Sequence, residues 1–130
     1  MIIVVTFSIM TIIRSQVWKD DFTLLTTDVY RSPNSAKAQH AAAGAFSTKA
    51  AGMEEGEVRK TMLEKSNQFA KNALTIYPLY ANAHLILGNN YQYLKQYEQA
   101  IESYNNLLKI RPEHKIGLKN LQIAYRDGGR

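Results

Sequence analysis

The chain has 130 residues, 45% of them hydrophobic and 21% charged, with a formal net charge of +5 and no cysteine. This bounds it to one small domain with enough apolar surface for a core, and excludes intrinsic disorder, a disulfide framework and a cysteine-based zinc site. Its Lys and Arg are scattered, so they read as a solvated surface and not as a nucleic-acid footprint.

Residues 1–13, MIIVVTFSIMTII, carry no charge. As a helix they cover about 20 Å, against about 30 Å of bilayer hydrocarbon. They lack the basic leading region and small-residue cleavage site of a signal peptide. Three readings are open: the end of a transmembrane helix that begins outside this chain, a short signal-anchor, or a buried helix or strand of the domain. Residues 14–33 read as a lead-in helix. Arg14 and Trp18 are residue types that settle at a membrane–water interface, and Asp20 and Asp21 favour a first helical turn. Phe22, Leu25 and Val29 then share one face, and Pro33 ends it.

Residues 34–112 read as two helix pairs. The clearer is Ala81 to Pro112. Gly88 gives room between two helices, and Tyr91 follows about one turn later on the same face. Ala100 opens the second helix at the closest approach, Tyr104 and Leu107 continue that face, and Pro112 ends it. Counting from Ala81, Leu87, Gly88, Tyr91, Ala100, Tyr104 and Pro112 fall on the 34-residue pattern W-x2-L-G-x2-Y, A-x3-F, P. His84 stands where Trp is common and Leu107 where Ala is common. The stretch resembles a tetratricopeptide repeat. The resemblance implies an all-α fold, a short right-handed superhelix of antiparallel helix pairs. One such unit cannot bury its own face, so a neighbour is required. Asn72 to Pro78 parallels Asn106 to Pro112 at a separation of 34, and His40 to Gly44 parallels His84 to Gly88 at 44. The difference predicts an insertion of about ten residues near 49–58. Within Ser35 to Thr48, the alanines 38, 41 and 45 suit either tight helix packing or the floor of a groove.

Residues 113–130 continue the first-helix spacing through Leu118, Leu121 and Tyr125, as a terminal capping helix with a polar tail. A second resemblance lies at the N-terminal junction. Arg14, Trp18, Asp20, Asp21, Leu24, Pro33, Asn34, Ala36 and Lys37 resemble the passage from membrane part to repeats in the transmembrane and tetratricopeptide-repeat-containing proteins and their bacterial relatives; Ser15 departs from the usual Asn. That implies a membrane-associated chain with its repeats outside the cytoplasm, periplasmic or lumenal, as the tail of a glycosyltransferase-like membrane protein or cut from one. It imports no activity, because the family's catalytic carboxylates belong to its membrane part. A cytoplasmic adaptor, with residues 1–13 docked on the domain, is the alternative.

Nothing in the chain builds a catalytic, cofactor or metal constellation, so an enzyme is not expected. His40, His84 and His114 form no i, i+4 pair, and His40 and His84 occupy equivalent first-helix positions, which repeat packing explains. Glu54, Glu55 and Glu57 lack EF-hand spacing and suit a solvated turn. Asp20 and Asp21 suit a helix start. What remains is binding of a protein or peptide partner, with self-association through the apolar end also open. The family resemblance points the first helices inward and implies a groove of Asn82, Leu85, Asn89, Gln92 and Tyr93, with Ile116, Lys119, Ile123 and Arg126 as equivalents in the last helix. Amides there can bond a peptide backbone and Tyr93 can pack on an apolar side chain. Leu85 and Ala41 stand where a carboxylate clamp would need Lys, so that clamp is not expected. The other reading of Asn89, Asn90 and Tyr93 is plain surface or packing between repeats.

Overall fold

The computed structural model describes residues 31–129. Residues 1–13 and most of the expected lead-in helix lie outside them. Five helices follow in order: α1 Ala36–Ala51, α2 Glu57–Ile76, α3 Ala81–Tyr93, α4 Tyr97–Ile110 and α5 Lys115–Asp127. There is no strand among the described residues. Helix α1 packs on α2, and α3 on α4. The first helices α1, α3 and α5 stack in turn, with α2 meeting α3 and α4 meeting α5.

The helix ends follow local chemistry. Ser35 Oγ accepts from the Ala38 N–H at 3.2 Å, and His114 Nδ1 from the Gly117 N–H at 2.9 Å, so each caps a helix start. Helix α3 ends in a Schellman pair, Gln96 N–H to Tyr91 O at 2.8 Å and Lys95 N–H to Gln92 O at 3.0 Å. Lys95 therefore carries the left-handed φ of +60° that usually falls to glycine, at a cost of about 1 kcal/mol.

The two pairs are built from different side chains. In the second, Tyr104 and Leu107 are fully buried, and Ala100, Ile101, Tyr104 and Ala124 form a cluster joined by Leu85, Tyr91 and Leu121. A Cβ on Gly88 would overlap the Tyr104 ring. In the first, Ala70 stands 34 residues before Tyr104, and the contact is made by small residues: Ala42, Ala43, Ala50, Ala70 and Ala73 are all fully buried. Ala38, Ala41 and Ala45 are only partly buried. The Phe46 and Phe69 rings stack at 5.5 Å on this pair.

The extra length of the first pair is distributed, not looped out. Helix α1 has 16 residues to the 13 of α3, and α2 has 20 to the 14 of α4. The connecting turn spans 52–56 against 94–96. Since Pro78 and Pro112 keep register, the added turns of α2 lie at its N-terminal end, residues 57–62, and project about 9 Å.

A buried polar network locks the two pairs together. Asn90, fully buried on α3, donates through Nδ2 to Ser66 Oγ at 2.7 Å and to Asn67 Oδ1 at 2.9 Å, both on α2. Its Oδ1 accepts from Ser47 Oγ on α1 at 2.7 Å. Ser66 Oγ passes its own proton to the Ala43 carbonyl at 2.6 Å. Both amide protons and the carbonyl of Asn90 are thus used across three helices, which is what makes burial of an amide tolerable.

Candidate functional site

Three of the expected groove residues converge. Asn89, Gln92 and Tyr93, at the C-terminal end of α3, line a groove of about 360 Å³ with Asn120 and Asp127 of α5. The buried Tyr104 hydroxyl holds two of these side chains, 2.7 Å from Asn89 Oδ1 and 3.0 Å from Gln92 Oε1. A hydroxyl has one proton, so it donates to Asn89, and Gln92 is satisfied when its amide turns Nε2 toward the phenol oxygen. Asn120 Nδ2 also donates to Asn89 Oδ1, at 3.0 Å. Burial pushes the Tyr104 phenol above its ordinary range, with Tyr93 adding to the shift and Asn120 opposing it. It therefore stays a neutral donor.

Asn89 is thus partly a structural residue, its carbonyl spent on Tyr104 and Asn120. Tyr93 is 43% exposed, with the Arg59 guanidinium over its ring, and its exposed part can meet a ligand. Leu85 does not line the groove but packs against the Tyr104 cluster. Asn82 lies in another depression with Tyr77, Leu79 and Arg111. Lys119 and Arg126 are exposed on α5 away from the groove lining, and Arg126 Nε lies 3.4 Å from Asp127 Oδ1. Asn120 and Asp127 were not expected. Their signal was present in the spacing, since Asn120 lies four residues after Ile116 and three before Ile123 on α5, and Asp127 two turns beyond it.

His40 and His84 sit on α1 and α3. His40 stacks on Tyr80 at 4.8 Å. Burial lowers the pKa of both below the ordinary 6.5, opposed at His84 by the Pro78 carbonyl. A base whose folded pKa is depressed takes its proton more readily when unfolded. The stabilisation is present above about pH 6.5 and is lost as the pH falls below it. The melting midpoint is expected to drop between pH 7.5 and pH 5, and the drop should shrink in a His40→Gln, His84→Gln double variant. An equal drop in both proteins would contradict this.

Residues 81–114 match the family model described as the tetratricopeptide repeat. The TPR domain of Arabidopsis OM64 is similar in structure, with a TM-score of 0.72, 16% identity, and coverage of 87% of this chain and 84% of that one. The fold is a tetratricopeptide-repeat fold. No curated protein matches the chain significantly. In the repeat 81–114, the pattern residues Gly88 and Tyr104 meet between the helices, Ala100 is fully buried, and Asn90, outside the pattern, ties the repeat to the preceding pair. Among the described residues no group of acidic, His or Cys side chains could hold a metal ion, and no helix is long and apolar enough to cross a membrane.

Proposed function

We propose that this domain is a protein-interaction scaffold, without catalysis of its own, that takes an extended peptide segment across Gln92, Tyr93 and Asn120. The observation that carries the reading is the groove itself: amides from two stacked first helices line it together with one exposed tyrosine, and two of those amides are held by a buried hydroxyl. Amides can bond a peptide backbone at either its N–H or its C=O, and the ring offers rigid apolar area at low entropic cost. The test is selection of peptides from a displayed library on the full-length protein, followed by titration of the Tyr93→Ala variant. Affinity is expected to fall about tenfold or more, as at aromatic hot spots, with the helical circular-dichroism signal retained. Unchanged affinity would remove the groove assignment.

We further propose that the scaffold is tethered to a membrane through residues 1–13, with its repeats outside the cytoplasm. The uncharged run of residues 1–13, followed by Arg14 and Trp18, supports this reading. In that setting the domain would present acceptor proteins to a membrane-bound partner. Full-length protein should stay with membranes through a carbonate wash, and a form starting at Arg14 should be released. If the full-length chain is released and the shorter one unfolds, residues 1–13 belong to the domain and the cytoplasmic adaptor is the better reading.

A further inference from the structure

Beside the groove lies a second cleft of about 320 Å³, walled by the turns that join the paired helices. Glu55, Arg59 and Lys60 line one side, Tyr93 and Lys95 the other. It shares only the Tyr93 ring with the groove.

Arg59 is at its centre. The side chain is 15% exposed, and its guanidinium carbon lies 5.2 Å from the centroid of the Tyr93 ring. Its Nε is buried with no hydrogen-bond partner. Glu55 Oε1 lies 3.7 Å from Arg59 Nη1 and 3.9 Å from Lys95 Nζ, beyond hydrogen-bond length from both. A guanidinium removed from water ordinarily meets a carboxylate through two parallel bonds. Here two cations converge on one exposed oxygen without reaching it, and Lys60 adds a third positive charge to the lining. Gly56 precedes α2 with no side-chain cap, so the positive end of that helix adds to the field, offset in part by Glu57 in its first turn. Lys95 holds its side chain here from a left-handed backbone position that favours glycine.

We propose that this cleft is a subsite for an acidic side chain of a peptide partner. A glutamate or aspartate carboxylate seats against Arg59 and Lys95, where Glu55 falls short, and its methylene packs on Tyr93. The inference goes beyond the groove reading and has its own readout. Isotope-labelled full-length protein is titrated with the blocked peptide Ac-Gly-Glu-Glu-Gly-NH2, with its Gln-Gln counterpart and with inorganic phosphate, and followed by NMR. The glutamate peptide is expected to give saturable shifts of the Arg59 Nε–Hε signal and the Lys95 amide, and the glutamine peptide none. Lys95→Gly should weaken this binding about two- to fivefold, as for an exposed ion pair, without lowering the melting midpoint, and Glu55→Gln should strengthen it. Equal response to both peptides, or an unchanged affinity in Lys95→Gly, would overturn the proposal. So would phosphate saturating the same signals at the same concentration, which would make this a general anion site. Shifts confined to Gln92 and Asn120 would overturn it too while leaving the groove intact.

Discussion

Gly88→Ala is expected to destabilise the domain by about 1–3 kcal/mol, and Gly88→Leu to unfold the second helix pair. Gly44→Ala, at the matching position of the first pair, should be neutral or stabilising by up to about 1 kcal/mol, the helix-propensity difference. The contrast comes from what each backbone faces. A Cβ on Gly88 runs into the Tyr104 ring. That ring is fully buried and pinned at its hydroxyl by Asn89, so it has nowhere to go. Around Gly44 the nearest atom to an added Cβ is Ile86 Cδ1, at 4.0 Å, because Ala70 replaces the tyrosine. Thermal melts of the three variants by circular dichroism decide it. Equal losses for Gly88→Ala and Gly44→Ala would contradict the packing difference between the pairs.

Asn90→Leu is expected to cost about 3 kcal/mol or more, although leucine has the same number of side-chain heavy atoms and the same branching as asparagine. The substitution strands the Asn67 carbonyl and the Ser47 hydroxyl and takes a donor from Ser66, and each buried polar group left unpaired costs about 1–3 kcal/mol. Against a typical domain stability of about 5–15 kcal/mol, that is a large fraction. Asn105→Leu, on the exposed side of α4, is the control and should stay within about 0.5 kcal/mol. Urea unfolding measures both. If the two variants melt alike, the network between the pairs contributes nothing.

The sequence made the second repeat readable because its signals are steric. Gly88, Ala100, Tyr104 and Pro112 each follow from the space or backbone geometry at one position, and spacing alone puts them in register. The neighbouring asparagines show where that logic stops. Asn89 and Asn90 are adjacent and chemically identical, but a 100° step around the helix sends one to the groove rim and the other into a buried network. Nothing in their composition distinguishes them. Leu85 shows the same limit, assigned to the groove by repeat position and drawn onto the Tyr104 cluster by its apolar side chain. No sequence signal marks Arg59. It lies in the stretch that breaks the 34-residue register, where the repeat pattern assigns no role to any position.

The overhang of α2 has an evolutionary consequence. The 320 Å³ cleft takes Arg59 and Lys60 from the turns added to the first pair and Lys95 from the ordinary turn of the second. It exists because two adjacent units differ in length. Gene duplication of the second unit would lengthen the array and leave this cleft untouched. Replacement of the first unit by a copy of the second would preserve the solenoid and erase the cleft in a single event. Homologues that carry a uniform 34-residue period should therefore lack it, however well their repeats align.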